Sequence, residues 1–556
     1  GGAATPAGYD RGGRRPDQTR SVVIAKHGIV ATSHPLASQA GLDILKAGGN
    51  AADAAIAANA VNGVVEPMSN GIGGDLFVIY WDAKTQKLYG LNASGRSPYK
   101  LNRGVFKEKG LSQIPTQGPL SWSVPGCVSG WESLRSRFGT KPLAEILAPA
   151  IAAAADGAPV PEVIAGYWRG AQTSLRETPE AAAAFLIEGQ RAPRVGEVMK
   201  LPQLAASLKL IAKNGRDAFY KGPIAQKIVA YSETHGGYFS LPDFADHKDD
   251  WVEPASTNYR GYDVWELPPN GQGIAALEML NMLEQFDLKS LKHNSAEHLH
   301  LFIEAKKLAF ADRAKFYADP AFGELPVKEL ISKEYGKKQA ARIDKSHAAG
   351  DVPAGDPRLA RADTIYMCVV DKDRNCCSLI QSNFSGFGSK LVPGDVGFVI
   401  QNRGALFALD DTHLNRLEPH KRPFHTIIPA FVTKDGKPWF CFGVMGGDMQ
   451  AQGHVQVLMN MIDFGLNVQA AGDVARTMHS GSATPTGLPA EGSGTVNVET
   501  GVSNEAISQL REKGHTITRT RRSGTFGGYQ GILIDWEHGV LHGATESRKD
   551  GVAAGY

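Results

Sequence analysis

Ala362-Asp363-Thr364-Ile365-Tyr366-Met367-Cys368-Val369-Val370-Asp371 is the stretch on which the reading of this chain turns. From Thr364 to Val370 the residues are almost all apolar or β-branched, types that suit a buried, pleated strand. Asp371-Lys372-Asp373-Arg374-Asn375 is turn chemistry, and Cys376-Cys377-Ser378-Leu379-Ile380-Gln381 is a second apolar run, so a hairpin is predicted. Ahead of it, residues 346–362 shift to Gly, Pro, Asp, Ala and Arg, the composition of a flexible connector. On these residues alone Thr364 has two readings. It begins a strand after an ordinary linker, or it becomes a chain end when a mobile tether is cut.

Working outward, Val22-Val23-Ile24 and Ile29-Val30-Ala31 are predicted to pair as a hairpin around Lys26-His27-Gly28. A small-residue helix over 36–45 is stopped by Gly48-Gly49-Asn50, and an alanine-rich helix follows over 51–62. Glu66-Pro67-Met68-Ser69-Asn70-Gly71-Ile72-Gly73-Gly74-Asp75 then leads into a strand over 76–81 and a hairpin over 76–93. This is not the dinucleotide fingerprint, whose G-x-G-x-x-G spacing fails at Leu76. Residues 110–345 carry mostly helical signal, including a helix capped by Asn294 or Ser295 and running to about 317. Beyond the hairpin, runs 427–433 and 438–444 flank Lys434-Asp435-Gly436-Lys437, and Gly446-Gly447 precedes a helix over 450–464. A helix over 504–513 and a hairpin of 531–535 with 540–544 complete the pattern. Hairpins and helices in both halves predict an α+β fold, two antiparallel sheets covered by helices around one shared core. Residues 1–20 read as a flexible lead-in.

Of the 556 residues, 59 are Lys or Arg and 57 Asp or Glu, a net charge of +2 that gives no reason to expect a polyanionic partner. Nucleic acid is disfavoured. No run of about 18 apolar residues occurs, so no membrane-spanning helix is expected. The five cysteines lie mostly in strand-like runs and read as buried free thiols. The start Gly1-Gly2-Ala3-Ala4 lacks Met, so removal of an export signal or a tag is expected. A periplasmic or secreted location is preferred, with the cytoplasm as the alternative. There is no G-x-S-x-G elbow, H-E-x-x-H helix or G-x-x-x-x-G-K-[ST] loop. His413, His420 and His425 read as solvated loop histidines, without the carboxylate or cysteine spacing of a metal site. No metal and no cofactor are expected.

Several separated motifs in the right order resemble those of γ-glutamyltransferases, which are N-terminal-nucleophile (Ntn) hydrolases. They are Glu66-Pro67 to Gly74, Val124-Pro125-Gly126, Glu304-Ala305 with Ala311-Asp312-Arg313, Val369-Val370-Asp371-Lys372-Asp373, Phe387-Gly388, Gly446-Gly447, Asp463 to Asn467, and Gly543-Ala544 with the final Ala554-Gly555-Tyr556. Gln401-Asn402-Arg403-Gly404, residues 421–429 and Gly443 to Asp448 are most similar to a YwrD-like branch that contains oxamate amidohydrolases. The resemblance implies a four-layer αββα sandwich and self-cleavage between Asp363 and Thr364. It implies a large portion, 21–363, ending in a flexible linker over 346–363, and a small portion, 364–556, that stay associated, with a homodimer possible in principle. Thr364 would then be the nucleophile, Ser382 would hold the place of a hydroxyl near it, and Gly446 and Gly447 would form the oxyanion hole. The expected substrate is a γ-glutamyl or related small amide, with water or an amine as acceptor. The alternatives are a non-glutamyl amide such as oxamate or a cephalosporin side chain, and a non-catalytic binding protein on the same fold.

The resemblance breaks in the substrate pocket. The family's arginine for the glutamyl α-carboxylate falls on Ser94, two residues from Arg96, and the aspartate for the α-amino group falls on Ala405. The paired serines fall on His425 and Thr426, an asparagine on Phe384, and the threonine after the nucleophile on Ile365. Arg96 and Arg403 are therefore the candidate carboxylate anchors, because a guanidinium grips a carboxylate bidentately. Asn402, His425 and Thr426 complete the candidate substrate-binding set.

Overall fold

The computed structural model describes residues 17–350, 363–487 and 494–556. Two seven-stranded sheets, antiparallel throughout, lie face to face. One runs Val552–Gly555, Ile29–Thr32, Asp363–Val370, Cys376–Phe384, Asp75–Asp82, Lys87–Ala93, Asp250–Val252. The other runs Val23–Ala25, Val540–Thr545, Gly528–Asp535, Lys437–Met445, Ala430–Lys434, Tyr262–Glu266, Ala255–Tyr259. Each sheet mixes strands from before and after Thr364, so the two halves do share one core.

Strand alternation sorts the side chains. Phe77, Ile79, Trp81, Tyr366, Cys368 and Val370 meet Phe431, Cys441, Ile532 and Ile534 between the sheets. The intervening Val78, Tyr80, Met367 and Val369 face outward onto helices, among them the alanine-rich Ala51–Val65, whose fifteen residues are all buried. Small side chains let that helix lie close on the sheet. Helices Gly273–Leu283, Ala296–Phe316 and Met449–Leu458 cover the opposite sheet. The result is the αββα sandwich.

The predicted hairpin around Lys26-His27-Gly28 does not form. Val23–Ala25 pairs with Leu541–Gly543 in one sheet, while Ile29–Thr32 pairs with Cys368–Val370 and the final strand in the other. Three residues carry the chain between layers, an arrangement local turn chemistry cannot specify. Three short strands over 250–266 lie within the stretch read as mostly helical, and a separate sheet of Thr477–Ser480, Thr495–Glu499 and Ile517–Thr520 was not anticipated. Of the expected flexible segments, residues 1–16 and 351–362 lie outside the described residues. Their described margins are fastened: Thr19 donates to Asp473 from both N and Oγ1 at 2.8 Å, and the Ala349 N–H donates to Glu304 at 2.7 Å. All five cysteines are buried free thiols.

Candidate active site

Thr364 is buried at the start of the strand Asp363–Val370, and the pairing register slips between Asp363 and Thr364, a bulge at the peptide bond in question. Thr364 and Ser382 are cross-strand partners, and Thr364 Oγ1 donates to Ser382 Oγ at 3.0 Å. Ser382 Oγ in turn accepts from the Phe384 N–H at 2.8 Å. By alternation both hydroxyls point between the sheets, as Tyr366 and Ile380 do.

The facing sheet supplies the glycine turn. The Cys368 thiol meets Cys441, and the Tyr366 ring lies on Gly443, where an added Cβ would come within 2.5 Å of it. Thr364 lies two residues before Tyr366 on this strand, and Met445 two residues beyond Gly443 on the facing one, where the strand Lys437–Met445 turns into Gly446-Gly447. Gly446 has φ +124° and Gly447 φ +56°, conformations that L side chains rarely adopt. Their N–H groups make no hydrogen bond to any described residue. Gln272 braces the turn by donating to Gly447 O at 2.9 Å and Thr426 O at 2.6 Å. Arg313 holds Gln272 Oε1 at 2.8 Å and Asp448 at 2.7 Å. Arg313 and Asp448 sit within motifs visible in the sequence, but nothing there joined them to the turn.

Asp75 is the residue the sequence reading passed over. It is wholly buried and accepts from the Gly95 and Gly126 N–H groups, Gln401 Nε2 and His425 Nε2, at 3.0, 3.1, 2.8 and 3.0 Å. The signal available was an acid following two glycines into an apolar strand. Gly74 must be glycine, since a Cβ there would stand 2.2 Å from Ser382 O. His425 is thus not a solvated loop histidine. Burial pushes it down to about 3, so it is neutral, with Nδ1 accepting from the Ile427 N–H.

The remaining candidates separate. Arg96 is held by Lys248 O at 2.9 Å and Asp250 at 3.3 Å. Asn402 uses its amide on Thr116 O, Ser385 Oγ and the Ser385 N–H, fixing loops rather than facing a ligand. Arg403 is different. It is fully buried, donates from Nη1 to Thr426 Oγ1 at 2.6 Å, and stands 4.8 Å over the Phe384 ring. Its Nε and Nη2 find no partner among the described residues. Burial pulls the guanidinium down to about 9, with Asp75 opposing. Ser94 and Ala405 are buried too, Ser94 bonded to Asn92.

A metal has one candidate position among the described residues, His300, Glu304 and His515, with donor atoms within 4.8 Å of one another. The group is internally engaged: His300 Nδ1 meets His515 Nε2 at 2.7 Å and Glu304 meets Lys307 Nζ at 2.7 Å. It shares no residue with the Thr364 site and carries no role here.

The sequence profile of γ-glutamyltranspeptidase matches residues 37–556. The chain belongs to the γ-glutamyltranspeptidase family. Among its relatives, the glutathione hydrolase-like YwrD proenzyme of Bacillus subtilis is 38% identical over 534 residues, covering 96% of this chain and 99% of that one. The oxamate amidohydrolase proenzyme of Klebsiella pneumoniae is 34% identical over 539 residues, covering 96% and 99%. Among solved structures, the cephalosporin acylase from Bacillus halodurans superposes with a TM-score of 0.89 at 43% identity, covering 99% of both chains. Within the γ-glutamyltranspeptidase family, then, this chain resembles proteins whose names cover different amides.

Proposed function

We propose that this protein is a self-processing amidohydrolase whose nucleophile is Thr364. The observation that carries the reading is a buried threonine hydroxyl, bonded to Ser382 at a strand bulge, on the strand that faces the one ending in a glycine turn whose N–H groups have no partner among the described residues. In the intact chain the Thr364 nitrogen is an amide and has no basic lone pair. Attack of Oγ1 on the Asp363 carbonyl carbon breaks the C–N bond and forms an ester, and the nitrogen takes the hydroxyl proton. Water then hydrolyses the ester, leaving an Asp363 carboxylate and a Thr364 with free hydroxyl and amine. An α-amine titrates at about 7.7–8.0 when unperturbed, so near neutrality it accepts the hydroxyl proton as Oγ1 attacks a substrate amide. The N–H groups of Gly446 and Gly447 stabilise the tetrahedral oxyanion. The proton passes to the leaving amine, and water or an acceptor amine resolves the acyl-enzyme.

The names of the relatives point to a small amide, γ-glutamyl or related. Ala405 and Phe384, in place of polar groups the glutamyl family uses, favour a non-glutamyl acyl group. Intact mass tests the reaction. Wild type is expected as two fragments, residues 1–363 and 364–556, the second beginning Thr-Ile-Tyr, and Thr364→Ala as one chain. A wild-type chain that stays whole overturns the proposal.

A further inference from the structure

Five arginines are buried in the described structure: Arg313, Arg403, Arg422, Arg476 and Arg548. Four are ion-paired, with Asp448, Asp250, Glu546, and Glu499 plus Glu546 respectively. Arg403 has no carboxylate partner among the described residues. Arg313 also leaves Nε and Nη2 unpartnered, but Asp448 offsets its charge. A buried guanidinium with a single neutral hydrogen-bond partner is costly, so a carboxylate brought to Arg403 would offset that cost.

The unfilled atoms have a definite shape. Nε and Nη2 together form the side-on face of a guanidinium, the fork that takes both oxygens of one carboxylate. The position is equally definite. The first carbonyl that Thr364 attacks belongs to residue 363, so the acyl part of any later substrate occupies the place residue 363 leaves. Residue 363 pairs across the strands with Phe384, and the Arg403 guanidinium stands over the Phe384 ring. The scissile residue is itself an aspartate, an acyl group bearing a carboxylate.

Resting on the nucleophile reading above, we infer that Arg403 anchors a carboxylate on the acyl portion of the substrate, and that the site selects ω-carboxyacyl amides without an α-ammonium group. Among the described residues, no acid beside Arg403 is left for an ammonium. Position 405 is alanine, and Asp75, the acid acting on Arg403, is already engaged by four donors. A glutaryl, succinyl or oxalyl group has the required carboxylate. A γ-glutamyl group adds a charge with no partner.

The test uses wild type, Arg403→Lys and Arg403→Met, each first checked for two fragments, on p-nitroanilides of glutarate, succinate and oxalate, on their methyl esters, and on γ-glutamyl p-nitroanilide. Wild type is expected to prefer the best acid over its ester by about 100-fold or more in kcat/KM, and glutaryl over γ-glutamyl by about 10-fold. In Arg403→Met the acid-to-ester ratio should fall to near one, mainly through KM, with Arg403→Lys between. A cleaved wild type that turns over no acid faster than its ester, or that prefers γ-glutamyl, overturns this inference and leaves the nucleophile standing. A wild type that stays whole overturns both. If Arg403→Met does not process, the wild-type ratios decide alone.

Discussion

Gly446 shows how much of the proposed chemistry rests on single residues. At φ +124° it holds a conformation closed to side-chain-bearing residues, and an added Cβ would lie 3.1 Å from the Gly527 backbone. Gly446→Ala should therefore rotate the turn, pulling at least one N–H away from the place where the oxyanion forms. The expected outcome is a loss of about 100-fold in kcat, with fragment formation slowed as well because self-cleavage passes through the same geometry. Stopped-time gels and steady-state rates on one preparation would show both. The same scale shows what a sequence can disclose about a site. Thr364 could be proposed from the sequence because several motifs around it agree, and Gly446-Gly447 because the pair sits between a strand and a helix. Arg403 could be proposed only as one of two arginines. Arg96 is excluded as a free anchor by Lys248 and Asp250, more than 150 residues away in the chain, and no local pattern carries that information.

Among the elements, the helix Ala51–Val65 ties the most parts together. Asn50 and Asp53 form its capping box, Asp371 after the strand Asp363–Val370 accepts from the Ala51 N–H at 2.9 Å, and Glu66 closes its other end. Glu66 is buried, accepts from Ser33 at 2.8 Å and Asn62 at 2.7 Å, and is pushed up by burial from 4.5 to about 7. Between those values the folded state keeps a proton that the unfolded chain has released. The stability it contributes is full below about pH 4.5 and is lost as pH rises through 7. A carboxyl moved this far is worth up to about 3 kcal/mol. Glu66→Gln removes the titration, so its thermal midpoint should gain on wild type between pH 5 and pH 8. A constant difference would mean that Glu66 ionises normally. This helix and the hairpins around Thr364 and Lys434 were readable because their signals are local and long. The strands Asp250–Val252 and Ala255–Tyr259 were not: they are three and five residues long at sheet edges, and only the neighbouring strand makes them strands. Val23–Ala25 and Ile29–Thr32 misled for the related reason that their true partners lie hundreds of residues later.

For the whole molecule, the interleaving of the halves matters most. Ile29–Thr32 lies between the strands Asp363–Val370 and Val552–Gly555, and Tyr262–Glu266 pairs with Ala430–Lys434. Cutting one peptide bond leaves all of these ladders and the core between the sheets in place. The two fragments should therefore co-elute at the mass of the full chain on size exclusion, and separate only when the fold is lost. Cys368, Cys376 and Cys377 on one sheet and Cys441 on the other are buried, as is Cys127 among the outer helices. Burial holds the thiols of Cys127, Cys368, Cys376 and Cys377 well above their ordinary range, so they are protonated as well as shielded. An alkylating reagent finds little to react with until the layers part. The chain thus carries its own gauge of opening, in which each carbamidomethyl group gained counts an excursion from the closed sandwich, in wild type and in Thr364→Ala alike.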